Sequence, residues 1–114
     1  MKDSQKTKLI RENKAQQQEG LCGYCKSPLE PYLTHLDHII PKSHGGDNSE
    51  DNLISVCVMC NMKKGPSTIE EWIGRVHRDF MRAKREMEYN EIVLDSLREM
   101  LDKRKHCDIG DYDG

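Results

Sequence analysis

Aromatic side chains are scarce in this chain of 114 residues, which has one Phe, one Trp and four Tyr. With 35% hydrophobic and 33% charged residues, apolar burial alone is a thin source of stability, and a staple of another kind is expected. No stretch is apolar for long enough to span a bilayer, and the opening MKDSQKTKLIRENKAQQQEG lacks the apolar segment of a secretory signal. These absences set the expectation of a cytoplasmic, reducing setting with no membrane partner, where paired cysteines favour a metal over a disulfide. A basic excess is missing too: the formal net charge is −2, which by itself argues against a phosphate-rich partner. The length leaves room for one domain with a modest core and excludes two ordinary ones.

The distribution of charge says more than its sum. From position 61 to 85 there are seven basic residues (Lys63, Lys64, Arg75, Arg78, Arg82, Lys84, Arg85) against three acidic ones (Glu70, Glu71, Asp79), whereas Asp108, Asp111 and Asp113 gather at the end. A basic segment beside an acidic tail is compatible with DNA contact from one face, set against the plainer reading of solvated surface.

Local patterns divide the chain into four parts. Residues 1–20 form a polar flank, with a marginal helix over 4–18 ended by Gly20. A core follows over 21–67: a turn-rich opening, LCGYCKSPL, then a short strand over 34–40 stopped by Pro41. Next come a loop in which Gly45-Gly46 supplies backbone freedom and a second strand over 53–58, making a hairpin. Thr68 with Glu71 three positions on is a capping-box pattern that opens a helical extension over 68–105. Within it Ile69, Ile73, Val76, Phe80, Ala83, Met87, Asn90, Leu94, Leu97 and Leu101 recur in steps of four and three, a heptad seam with one polar member. One long helix or a helical hairpin broken near Asn90 would both satisfy it, and the seam makes the C-terminal half a candidate for homodimerisation. Residues 106–114 read as an acidic tail, in which Cys107 is a bystander.

Cys22-Gly-Tyr-Cys25 and Cys57-Val-Met-Cys60 are two C-x-x-C pairs, the spacing that lets two thiolates of one tight turn reach the same tetrahedral ion. Four thiolates make a closed structural zinc site. Alternatives are a redox dithiol, which lacks a thioredoxin-like context here, and four free thiols. Residues 26–56 separate the pairs, more than a zinc ribbon needs, so the insert between the knuckles is where chemistry is expected.

That insert carries His35-Leu-Asp37-His38-Ile-Ile-Pro41, then Gly45-Gly46 and Asn52-Leu53, and Asn61 and Lys64-Gly65 follow the second knuckle. In this order the sequence resembles the HNH endonuclease family, whose pattern runs C-x-x-C, D-H-I-x-P, G-G, N-L, C-x-x-C-N and K-G. The resemblance covers residues 22–65 and implies an α+β fold: a small ββα-metal domain with a structural four-cysteine zinc site, followed here by the long C-terminal helix or hairpin. It also implies metal-dependent hydrolysis of DNA, by nicking or by cutting both strands.

Hydrolysing a phosphodiester needs a deprotonated water, neutralisation of charge on the phosphoryl oxygens and help for the leaving oxygen. Neighbouring strand residues project to opposite faces, so Asp37 and His38 can serve a metal and a water respectively. His38, of a residue type that titrates near neutrality, is the expected general base, as in the resembled family. Asp37 offers a hard carboxylate oxygen and Asn61 a neutral carbonyl oxygen, the donors of a magnesium or manganese ion. The resemblance further implies that Asn52 orients the base histidine. Taken singly, these could be surface, turn and cap residues, and the joint spacing is what favours a site. His35, on the same strand face as Asp37, could add a metal contact or be merely structural; His44 could touch phosphate or be solvated.

Lys63 and Lys64 are expected to hold the scissile strand as point charges, and Arg75, Arg78, Arg82 and Arg85 line one helix face that could follow a DNA backbone or pair with nearby acids. Phosphate contacts carry no sequence information, so little sequence specificity is expected. The rival reading from another class is a non-catalytic zinc-dependent DNA-binding or protein-interaction module, which would bind plasmid without regard to Asp37 or His38.

Overall fold

The computed structural model describes residues 4–106, so the acidic tail and Cys107 lie outside the described residues. Helix α1 (Gln5–Gln17) is followed by strand β1 (Thr34–His38), strand β2 (Leu53–Cys57), helix α2 (Val58–Lys64) and helix α3 (Ile69–His106), with single 3-10 turns at Pro31–Leu33, Lys42–His44 and Glu50–Asn52. By spatial clustering the chain forms two units, Met1–Gly74 and Arg75–Gly114.

In the first unit β1 and β2 pair antiparallel, Thr34 opposite Cys57 through His38 opposite Leu53. The loop between them is held by two different uses of glycine. Gly45 caps the Lys42–His44 turn at φ 87°, a left-handed conformation that costs a residue without Cβ little. At Gly46 a Cβ would overlap the carbonyl oxygen of Ile40, so the requirement there is space. Helix α2 is capped by Cys57, whose Sγ accepts the Cys60 amide at 3.4 Å. It stops at Gly65, which has φ 54°.

Helix α1 has no buried residue, as a polar flank should, yet it is not loosely attached. Ser4 caps its start by accepting the Thr7 amide at 3.0 Å. Just past its end, Gln18 docks its side-chain amide on the outer edge of β2: Oε1 accepts Ser55 N–H at 3.0 Å and Nε2 donates to Ser55 O at 2.8 Å. Ser55 Oγ donates to the Arg11 carbonyl at 2.6 Å, and the residue is fully buried. Gln18 thus shares the outer edge of β2 with the first knuckle, whose Gly23 N–H also reaches Ser55 O at 3.0 Å and whose Cys22 Sγ accepts the Cys57 amide at 3.4 Å.

The core is small. Its buried hydrophobic members are Cys22, Leu53, Val56 and Cys60, two of them thiols, with Tyr24, Leu29, Ile54, Cys57 and Trp72 packed around the Cys22–Val56–Cys60 cluster. Tyr24 meets Trp72 edge to face, centroids 5.1 Å apart. Four polar residues are as buried as the core itself: Asp37, Asn52, Ser55 and Lys64.

Thr68 and Glu71 form the capping box expected of them, Thr68 N–H reaching Glu71 Oε1 at 2.9 Å and Glu71 N–H reaching Thr68 Oγ1 at 3.2 Å. Of the two arrangements the heptad pattern allows, the structure has the single helix: α3 runs unbroken through Asn90 for 38 residues. The described part of the second unit is all helix, and no helix among the described residues is long and apolar enough to cross a membrane.

Replacing Gln18 with alanine would strip the buried Ser55 amide of its partner, at a cost of about 1–3 kcal/mol. Urea denaturation of Gln18→Ala should show a lower midpoint with an unchanged slope; a wild-type midpoint would mean that α1 does not stabilise the hairpin.

Candidate metal and catalytic sites

The two knuckles bring their thiols together. One ligand atom from each of Cys22, Cys25, Cys57 and Cys60 lies within 4.8 Å of all the others. Cys25 Sγ and Cys57 Sγ are 3.8 Å apart, close to the ~3.8 Å edge of a tetrahedron with zinc–sulfur bonds of ~2.3 Å. The cluster can therefore hold a metal ion, and its donor set is that of zinc.

The thiols differ in their surroundings. Cys25 is exposed, and hydrogen bonds from the Ser27 side chain and backbone hold its pKa down to about 6. Burial opposes ionisation of Cys22, but the amides of Cys25, Cys57 and Tyr24 outweigh it and leave the pKa lowered. Cys60 is pushed up by burial and by the crowd of neighbouring thiols. A dication in the cluster would offset what opposes the ionisation of Cys60.

Asp37 and His38 leave β1 toward different partners, as adjacent strand residues must. Asp37 is turned inward: its Oδ2 accepts the Tyr24 hydroxyl at 2.7 Å and lies 3.1 Å from Lys64 Nζ. The same Nζ donates to the His38 carbonyl oxygen at 3.0 Å, so one ammonium ties α2 to both residues at the end of β1. Tyr24 stays a proton donor, because burial and the bond to Asp37 raise its pKa. His38 faces the loop, with Nε2 2.8 Å from Asn48 Oδ1.

Asn61 lies in α2 one turn before Lys64, on the helix face from which Lys64 reaches β1. Asp37, His38 and Asn61 thus come from the two elements that Lys64 ties together.

Two sequence expectations are corrected. Asn52 makes no hydrogen bond to the His38 ring. Its Oδ1 accepts Ile40 N–H at 2.8 Å, and its Nδ2 donates to Ile40 O at 3.0 Å and Asp47 O at 2.9 Å. It closes the 40–52 loop and reaches His38 only through the chain. Lys64, expected on the surface to hold a DNA strand, is 1% exposed and serves Asp37. His35 lines a cavity of about 1210 Å³ beside α1 that Asp37 does not border, in keeping with the structural alternative for this histidine.

Other predicted residues fall where a partner could reach them. Lys63, Arg78 and Arg82 are exposed and Arg75 is half-buried. Arg82 Nη1 lies 3.4 Å from Asp79 Oδ1, so at this position the alternative of pairing with a nearby acid is realised. His44 Nε2 lies 3.6 Å from Glu71 Oε1, beside the start of α3.

Sequence reasoning missed Tyr24 and Asn48. Tyr24 carried one signal, an aromatic inside a knuckle of a chain with few aromatics; Asn48, in a polar loop, carried none.

Known proteins resemble this chain over part of its length. The family model described as HNH endonuclease matches residues 22–67. Among curated proteins the chain is similar to the CRISPR-associated endonuclease Cas9 of Corynebacterium diphtheriae, 37% identical over 65 residues, 56% of this chain and 6% of that protein. It is also similar to Cas9 of Actinomyces naeslundii, 31% identical over 65 residues with the same two coverages. The crystal structure of the Type II-C Cas9 enzyme from Actinomyces naeslundii superposes with a TM-score of 0.56 at 28% identity, over 62% of this chain and 7% of that one. The chain spans only a small fraction of the length of these relatives. The stretch matched by the HNH endonuclease family model, residues 22–67, holds both the thiol cluster and the Asp37–His38 pair.

Proposed function

We propose that this chain is a DNA endonuclease that hydrolyses phosphodiester bonds with a divalent cation held by Asp37 and Asn61, and with His38 as general base. The observation that carries the reading is the fixed carboxylate: Tyr24 and Lys64 both engage Asp37 Oδ2 while His38, next in the chain, faces away. A carboxylate so held keeps Oδ1 as its remaining donor and loses little rotational entropy on binding an ion.

Magnesium or manganese at this position would supply Lewis acidity to the phosphate and support for the leaving oxygen. The rest falls to the chain's own residues. An amide oxygen only accepts, so the His38 nitrogen facing Asn48 Oδ1 carries its proton, which leaves Nδ1 to take a proton from water. Lys64, neutralised by Asp37, fixes the end of β1 against α2, the helix that carries Asn61. Zinc in the thiol cluster would hold the two knuckles, and with them Tyr24, in place. Lys63, Arg75 and Arg78 are proposed phosphate contacts, nonspecific in sequence, and Arg82 joins them by exchanging Asp79 for a phosphate.

Supercoiled plasmid incubated with magnesium or manganese tests the reading. His38→Ala should slow nicking by about 10²–10⁴-fold with zinc content and melting temperature unchanged. Undiminished nicking would remove His38 from the mechanism, and binding without nicking by the wild type would favour the non-catalytic module.

Tyr24→Phe leaves Lys64 on Asp37 and should cost about 1 kcal/mol of stability. It should also raise the magnesium concentration needed for half-maximal nicking; an unaltered metal requirement would show that the hydroxyl does not position the carboxylate.

Cys25, exposed and with its pKa near 6, is mostly thiolate at pH 7 when no metal competes. Zinc should protect it from alkylation together with Cys22, Cys57 and Cys60. Mass-spectrometric mapping that shows no protection of these four by zinc would contradict the assigned cluster.

A further inference from the structure

Asn52 belongs to the sequence pattern yet makes no bond to the histidine ring, and the loop it closes shows what it serves. Its amide ties the chain at Ile40, just beyond His38, to Asp47, just before Asn48: Oδ1 accepts Ile40 N–H at 2.8 Å, and Nδ2 donates to Ile40 O at 3.0 Å and Asp47 O at 2.9 Å. Gly46 N–H adds a bond to Pro41 O at 3.0 Å, and a Cβ at Gly46 would overlap Ile40 O, so the two limbs of the loop meet backbone to backbone. Asp47 Oδ1 then accepts Ser49 N–H at 3.1 Å and the Ser49 hydroxyl at 2.7 Å, an Asx turn with Asn48 at its apex. From that apex the Asn48 side chain reaches His38, Oδ1 to Nε2 at 2.8 Å.

We propose that Asn48 is the positioning residue of His38, and that Asn52 acts on the histidine through it. The inference rests on the reading of His38 as general base and deepens it. An imidazole at the end of a strand turns about two side-chain bonds, and its two nitrogens are not equivalent. An acceptor held at Nε2 keeps the proton there and restrains the ring, so that Nδ1 is presented in one direction. Asn48 itself is exposed and buries nothing, whereas Asn52 is 9% exposed. The acceptor therefore owes its fixed place to the buried clamp and not to packing of its own. Coupling follows: once the clamp is lost, removing Asn48 as well should change little.

Asn48→Ala, at an exposed position, should keep its zinc content and melting temperature. It should lower kcat for plasmid nicking about 10–100-fold and leave KM for DNA and the magnesium requirement unchanged. Asn48→Asp retains an acceptor oxygen at the same reach and should recover most of the rate at alkaline pH, where the imidazole is neutral. NMR of the ring nitrogens reads the same contact without cleavage. In the zinc-loaded, magnesium-free chain at alkaline pH, the His38 proton should sit on Nε2 in the wild type and be shared between both nitrogens in Asn48→Ala. Asn52→Ala should also slow nicking, and the double variant should be no slower than Asn52→Ala; effects that multiply would break the link between the two asparagines. A wild-type proton on Nδ1, or full nicking by Asn48→Ala, would overturn the proposal. His38→Ala separates the two failures. If it loses nicking while Asn48→Ala keeps it, His38 remains the base and Asn48 is not its positioning residue; if both keep it, the base assignment itself falls.

Discussion

Four sulfur atoms from two distant turns must meet for the first unit to exist as described. Its apolar interior is too small to do this unaided: the buried hydrophobic members are Cys22, Leu53, Val56 and Cys60, so half of them are the cluster's own thiols. Binding free energies of small structural zinc sites are on the order of 10–16 kcal/mol, against total stabilities of about 5–15 kcal/mol for ordinary domains. With zinc in the cluster, the ion outweighs every other single contribution, and the hairpin, α2 and Tyr24 take their places relative to it.

The interior polar network grows out of that clamp. Tyr24 lies between Cys22 and Cys25 and gives its hydroxyl to Asp37; Lys64, one turn beyond Cys60, gives its ammonium to the same oxygen. Each knuckle thus sends one donor to one carboxylate. A buried ion pair of this kind is a poor source of net stability, since desolvating both charges offsets their attraction. What it provides is direction. The carboxylate turns to a single orientation, and the end of β1 is tied to the helix that carries Asn61.

Much of the fold was legible because its signals are local. The C-x-x-C spacing, the β-branched stretches, the Thr68–Glu71 box and the heptad steps each depend on a few neighbouring residues, and the elements lie where these patterns put them. The choice between one helix and a hairpin at Asn90 was not local, because a single polar residue in a seam is compatible with both. The site was legible as a set of residues but not as a set of contacts. Asn52 stood out in the pattern, yet a sequence does not say which groups lie within about 3 Å of its amide; the answer is the loop backbone and not the histidine ring. Lys64 misled for a different reason: lysines are rarely fully buried, and only the fold shows a carboxylate waiting inside.

The amide of Gln18 on the edge of β2 separates two units that are easily taken for one. Residues 22–67 are what the family shares, but the outer hydrogen bonds of Ser55 are completed from position 18, before that stretch begins. A polypeptide cut to the shared motif would carry every thiol and every proposed catalytic group and would keep Gly23 N–H on the Ser55 carbonyl, yet the Ser55 amide would be left without its partner. Heredity and mechanics therefore draw their borders in different places, and the short polar prelude belongs to the body it seems only to precede.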